Sequence, residues 1–345
     1  MTETLATLGA ATVARNGAFP GRVAQNPVRA LALEWLRRRN TALDTAFYDV
    51  GVITPEETEG LAPWLAHEGA IVVTPPSNAG RLRVYEELED FLASPDFDLV
   101  RTIAVAGVGS SALGGAALAR NIADARGETV AAVVSGYGFA DLPTEALGGW
   151  FCFGALNSVR HAFESLDRWS RLFEADEQAI EALDGVAFAR LSKDTAVLTR
   201  LLRTSRFKPK LLVGHSKGNL VISEALYWLA ERNPVRSTAL GRSCAIVTLC
   251  AKIGMPHAFE RVIDVTGEFD GFGAMNSRQD IASDYVVPHA WHSTNREFPF
   301  GLGLDVTAAL RQIAPQLAAP WPNHPRRKLS VALDAPQIAA SLLPA

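Results

Sequence analysis

Residues 211–218 read Leu-Leu-Val-Gly-His-Ser-Lys-Gly, a short apolar run that breaks at a Gly-x-Ser-x-Gly pentapeptide. Lys208-Pro209-Lys210 gives the run a polar start, and helical spacing takes over through Leu220, Val221, Ile222, Ala225, Leu226 and Leu229. The pattern predicts a buried strand, an abrupt turn at Ser216 and a helix folded back on the strand. Gly214 and Gly218 let the two approach closely. A strand that is apolar at every position hides both faces, so it needs strands beside it and helices above and below.

Those neighbours are legible on both sides. Gly69–Thr74, Arg101–Gly107 and Thr129–Val134 read as strands upstream, and Cys244–Leu249 and Arg261–Thr266 read as strands downstream. Helical spacing runs from Ala112 to about Ala125, from Arg83 to Leu92, through much of 141–207, and from Asp305 to about Pro315. Another helical pattern runs from Pro27 to Phe47, preceded by a small, polar stretch that reads as a loosely held arm. Strands alternating with helices predict an α/β fold with a mostly parallel sheet.

Composition narrows the partners. The chain has 345 residues, 48% hydrophobic and 20% charged, with a net charge of −4. That balance gives no reason to expect nucleic acid or an anionic membrane surface. Cys152, Cys244 and Cys250 lack metal-ligand spacing and suit a reducing compartment. The N-terminus has no basic region followed by an apolar core, and no stretch approaches 18 apolar residues. The expectation is a soluble cytoplasmic protein without integral membrane association, metal or cofactor; its oligomeric state is not legible.

The Gly-x-Ser-x-Gly turn, with a further strand and its glycine loop two strands earlier, resembles the α/β-hydrolase superfamily, in particular its lipase- and esterase-like serine hydrolases. The resemblance spans residues 69–318. It leaves 1–68 as an N-terminal helical extension, 319–345 as a tail, and 139–207 as a cap-like helical insertion. Within that insertion, the apolar, Gly-flanked Gly148–Gly154 reads either as a cover over the serine or as ordinary core of an enlarged domain. The resemblance implies Ser216 as nucleophile, followed in chain order by an acid and a histidine. His292 is preferred as the base, with His289 in the same loop as its rival. Asp270, leaving the Arg261–Thr266 strand into a Gly-rich loop, is preferred as the acid over Glu268 and Asp284. Asp264, inside that strand, should pair locally. The oxyanion donors would be the Lys217 backbone amide and the amide of Ser110 or Gly109, with the Lys217 side chain turned to solvent. The expected activity is cleavage of small or lipid-like carboxylic esters through an acyl-enzyme.

Two other readings are open. One is a catalytically idle hydrolase-like scaffold that binds a partner through residues 1–68. The other is a dinucleotide-binding protein, because a strand, Gly107-Val108-Gly109-Ser110-Ser111-Ala112 and a helix match Gly-x-Gly-x-x-Ala over residues 103–112. That fingerprint also needs an acidic residue at the end of the next strand, which here ends Val134-Ser135-Gly136-Tyr137.

Overall fold

A computed structural model describes residues 2–25, 41–61, 68–107, 110–135, 193–278, 280–318 and 331–332. Its strands are β1 (Ile71–Thr74), β2 (Arg83–Tyr85), β3 (Thr102–Val105), β4 (Val130–Val133), β5 (Leu211–His215), β6 (Ala245–Leu249), β7 (Val262–Gly267), β8 (Tyr285–Val287) and β9 (Val331–Ala332). They form one sheet in the order β2-β1-β4-β3-β5-β6-β7-β8-β9. β1 runs antiparallel to both its neighbours, and every other pair is parallel. The architecture is α/β, a mostly parallel sheet flanked by helices.

The continuous apolar runs follow from this layering. Every residue of β1, β3, β4, β5 and β6 is buried. Alternate side chains feed two cores: Ile103 and Val105 point to one face, Ala104 and Ala106 to the other. Helices Ala112–Arg126 and Val306–Ala318 cover the second face, and Lys193–Arg203 with Lys217–Arg232 cover the first. A β-carbon on Gly218 would lie 2.0 Å from the Val105 carbonyl oxygen, so the first turn of the Lys217–Arg232 helix can abut β3 only as glycine.

Several expectations change. Arg83–Leu92 is not one helix: Arg83–Tyr85 is the edge strand β2, and a short helix covers Leu88–Ala93. Asp96 draws the Arg83 guanidinium and the Tyr85 hydroxyl to one point, which extends the backbone between them. The expected arm is a helix, Thr2–Gln25, tied down by the Thr7 hydroxyl donating to the Ile53 carbonyl at 2.8 Å. β8 and β9 extend the sheet beyond the strands legible in the sequence, and β9 carries it past residue 318 into the expected tail. Within the expected insertion, Lys193–Arg203 is core structure, with Leu198, Leu201 and Leu202 fully buried. Residues 136–192, including Gly148–Gly154, lie outside the described residues.

Residues 41–61 are not an appendage either. Segment 41–47 is helical, and the last carbonyls of a helix have no partner within it. The loop after β8 supplies donors to them. Asn295 Nδ2 reaches the Thr45 oxygen at 2.7 Å, the Ser293 hydroxyl the Ala46 oxygen at 2.7 Å, and the Thr294 amide and hydroxyl the Phe47 oxygen at 2.8 Å each. Further on, Glu57 pairs with Arg120 at 2.6 Å, both side chains less than a tenth exposed.

Candidate active site

The carboxyl ends of the parallel strands converge, the place where open α/β sheets present ligand-binding groups. β3 delivers Gly107 and Ser110, β4 Ser135, β5 Ser216, β6 Cys250, β7 Asp270 and β8 His292. Ser216 has φ 53° and ψ −121°, a backbone region that non-glycine residues avoid. The contortion holds its hydroxyl clear of the helix it precedes. Ser216 is partly exposed, while Asp270 and His292 are buried.

The His292 Nε2 atom lies 2.9 Å from Ser216 Oγ, and His292 Nδ1 lies 2.9 Å and 3.0 Å from the two Asp270 carboxylate oxygens. With Nδ1 donating to the carboxylate, the Nε2 lone pair faces the serine hydroxyl. Asp270 is itself fixed. It caps the short helix Gly271–Met275, accepting from the Gly273 amide at 2.6 Å, and the Cys250 thiol lies within 4.8 Å of it. Burial, with the adjacent carboxylate, holds that thiol protonated by pushing its pKa well up. Aromatic rings enclose the imidazole: Phe272 at 5.3 Å, Phe47 at 6.1 Å and Trp291 at 6.4 Å between centroids.

The other sequence-level candidates fall elsewhere. His289 is exposed, with its amide donating to Glu268 at 2.9 Å, so both rivals belong to a surface turn. Asp284 accepts the Asp264 amide at 2.8 Å, and Asp264 accepts the Thr248 hydroxyl at 2.5 Å inside the sheet. The Lys217 amide opens the helix beside Ser216, where a backbone donor is expected, but the Lys217 side chain is buried rather than solvated. The first turn of its helix is pressed against β3. The Ser110 amide closes a turn onto the Gly107 carbonyl at 3.3 Å. Gly109 lies outside the described residues.

Three buried side chains here carried no signal of their own in the sequence. Tyr48 accepts the Gly107 amide at 2.6 Å and lies 2.9 Å from His215 Nδ1, while His215 Nε2 lies 3.0 Å from the His292 carbonyl oxygen. Asp44 accepts from the Ser111 amide and hydroxyl at the start of helix Ala112–Arg126. Burial pushes its carboxyl up to about 7 against the pull of those donors. The closest sequence hint was Ser293-Thr294-Asn295, three short donors in a row, which cap helix 41–47.

Among the described residues, Cys250, Asp270 and His292 are the grouping with ligand-type atoms all within 4.8 Å of one another. The His292 and Asp270 atoms are already hydrogen-bonded to each other. Comparison with family models, curated proteins and solved structures found no match to this chain. No helix among the described residues is long and apolar enough to cross a membrane.

Proposed function

We propose that the chain is a serine hydrolase of the α/β-hydrolase superfamily that cleaves carboxylic esters through an acyl-enzyme. The observation that carries this reading is the continuous relay from Ser216 Oγ through His292 to Asp270, built on a strained turn at the carboxyl edge of the sheet. A serine hydroxyl is a weak nucleophile, and the His292 lone pair removes its proton as it attacks the ester carbonyl. Asp270 holds the imidazole in the required tautomer and offsets the charge it gains. The Lys217 amide, at the positive end of its helix, faces the developing oxyanion. His292 then gives the proton to the leaving alcohol, and water repeats the sequence on the acyl-enzyme. The aromatic rings about His292 favour an apolar group on the substrate, small or lipid-like.

A binding scaffold would have no use for the Ser216 backbone strain, worth about 1–3 kcal/mol. The dinucleotide reading needs a pyrophosphate at the start of helix Ala112–Arg126, where the Asp44 carboxyl already takes the Ser111 donors. A fluorophosphonate probe tests the proposal. Labelling of Ser216 in folded protein, lost in Ser216→Ala, is expected together with turnover of p-nitrophenyl esters; a folded chain that neither labels nor turns over any ester of a graded series refutes it.

A further inference from the structure

The hydrogen bonds that run from Gly107 through Tyr48 and His215 to the His292 carbonyl tie the end of β5 to three other segments at the site, and none of them belongs to the relay described above. Their polarity is fixed from both ends. The His292 carbonyl can only accept, so His215 Nε2 must carry a proton to reach it at 3.0 Å. In a neutral imidazole Nδ1 is then an acceptor, and the Tyr48 hydroxyl 2.9 Å away must donate to it. At the other end the Gly107 amide can only donate, and the Tyr48 oxygen receives it at 2.6 Å. Each group has one workable role, and all are buried.

A second proton on His215 would break this order. Nδ1–H would then face the Tyr48 hydroxyl, and a buried charge would stand with its ring 5.2 Å from that of His292, which must itself become positive when it takes the serine proton. Burial and the neighbouring His292 hold His215 neutral, with its pKa lowered to about 3. The neutral ring is therefore a strut of fixed length and polarity between the nucleophile strand and the base loop. It meets His292 at the backbone, one residue's width from the torsions that aim Nε2 at Ser216.

Resting on the serine-hydrolase reading, we propose that Tyr48 is a positioning residue for the base: through His215 it holds the His292 backbone so that the imidazole stays in line with Ser216. This makes segment 41–49, remote in sequence, part of the catalytic unit. Tyr48→Phe keeps the ring and removes the hydroxyl, leaving the Gly107 amide and His215 Nδ1 without their partner. Loss of in-line geometry of this kind lowers kcat by about 10- to 100-fold, with KM within about 2-fold. His215→Leu should match that loss, whereas His215→Gln, whose amide can still donate to the His292 carbonyl, should recover part of it.

A readout independent of turnover is nitrogen-15 NMR of the imidazoles in the full-length wild-type protein. His215 should appear as the neutral Nε2–H tautomer, unchanged from pH 5 to pH 8. An Nδ1–H tautomer, or titration of His215 within that range, overturns the proposal even if no substrate is ever found. So does a Tyr48→Phe protein with wild-type kcat, or a His215→Gln protein no more active than His215→Leu. Absence of labelling and turnover in the wild type would instead refute the hydrolase reading, leaving the strut to be judged by its tautomer.

Discussion

Two buried groups beside the site pull stability in opposite directions as pH changes, and Asp44→Asn should unbalance them. His215 is lowered from 6.5 to about 3 in the fold. The unfolded chain therefore binds the extra proton first, and the stability His215 contributes above pH 6.5 is lost as pH falls; going from pH 8 to pH 5 it withdraws about 2 kcal/mol. Asp44 is raised from 3.8 to about 7, so its contribution is complete below pH 3.8 and lost as pH rises through 7. Over the same descent from pH 8 to pH 5 it returns about 2–3 kcal/mol. The two nearly cancel in the wild type. Asparagine cannot titrate, so the variant keeps only the acid-sensitive half. Urea unfolding followed by circular dichroism at pH 8 and pH 5 should show Asp44→Asn losing about 2–3 kcal/mol relative to wild type between the two, whatever its stability at pH 8. Groups common to both proteins drop out of that difference. A gap between variant and wild type that is the same at both pH values would refute the reasoning.

Asp270→Asn should leave the fold intact and lower ester kcat by about 10⁴-fold, because the amide favours the wrong tautomer of His292; a kcat within tenfold of wild type would remove Asp270 from the relay. Glu57→Ala strands the Arg120 guanidinium, 4% exposed, and should cost about 3–5 kcal/mol in urea unfolding, whereas replacing both partners by apolar residues should cost far less. Gly218→Ala places a methyl 2.0 Å from the Val105 carbonyl and should destabilise by about 1–3 kcal/mol; an unchanged melting temperature would mean the helix is not held against β3 as described.

The central strands are legible in the sequence because both their faces are buried, so each writes itself as an unbroken apolar run. β2, β8 and β9 have two or three residues each, and β2 and β8 are only partly buried, so no run marks them. Ser216 is announced by its pentapeptide. Asp270 and His292 are suggested by their places after the β7 strand and before the last helix, and the structure puts His292 beside the serine and Asp270 beside His292. Nothing local distinguishes Tyr48, which meets His215 across 167 residues of chain, or Asp44, which meets Ser111 across 67. Such pairs have no period to read. They become visible only when the sheet brings the ends of distant strands together.

The capping of helix 41–47 by Ser293, Thr294 and Asn295 bears on when the site is completed as well as on its geometry. The Ala46–Ser293 bond closes a span of 247 residues. Contacts of that separation carry the largest loop entropy and form after local structure has collapsed. During synthesis the segment holding Tyr48 must wait until nearly the whole sheet has emerged before it meets the loop it braces. The Ser216–His292–Asp270 array is therefore assembled late, and a partly folded chain can hold most of its helices and strands while His292 is not yet aligned on Ser216.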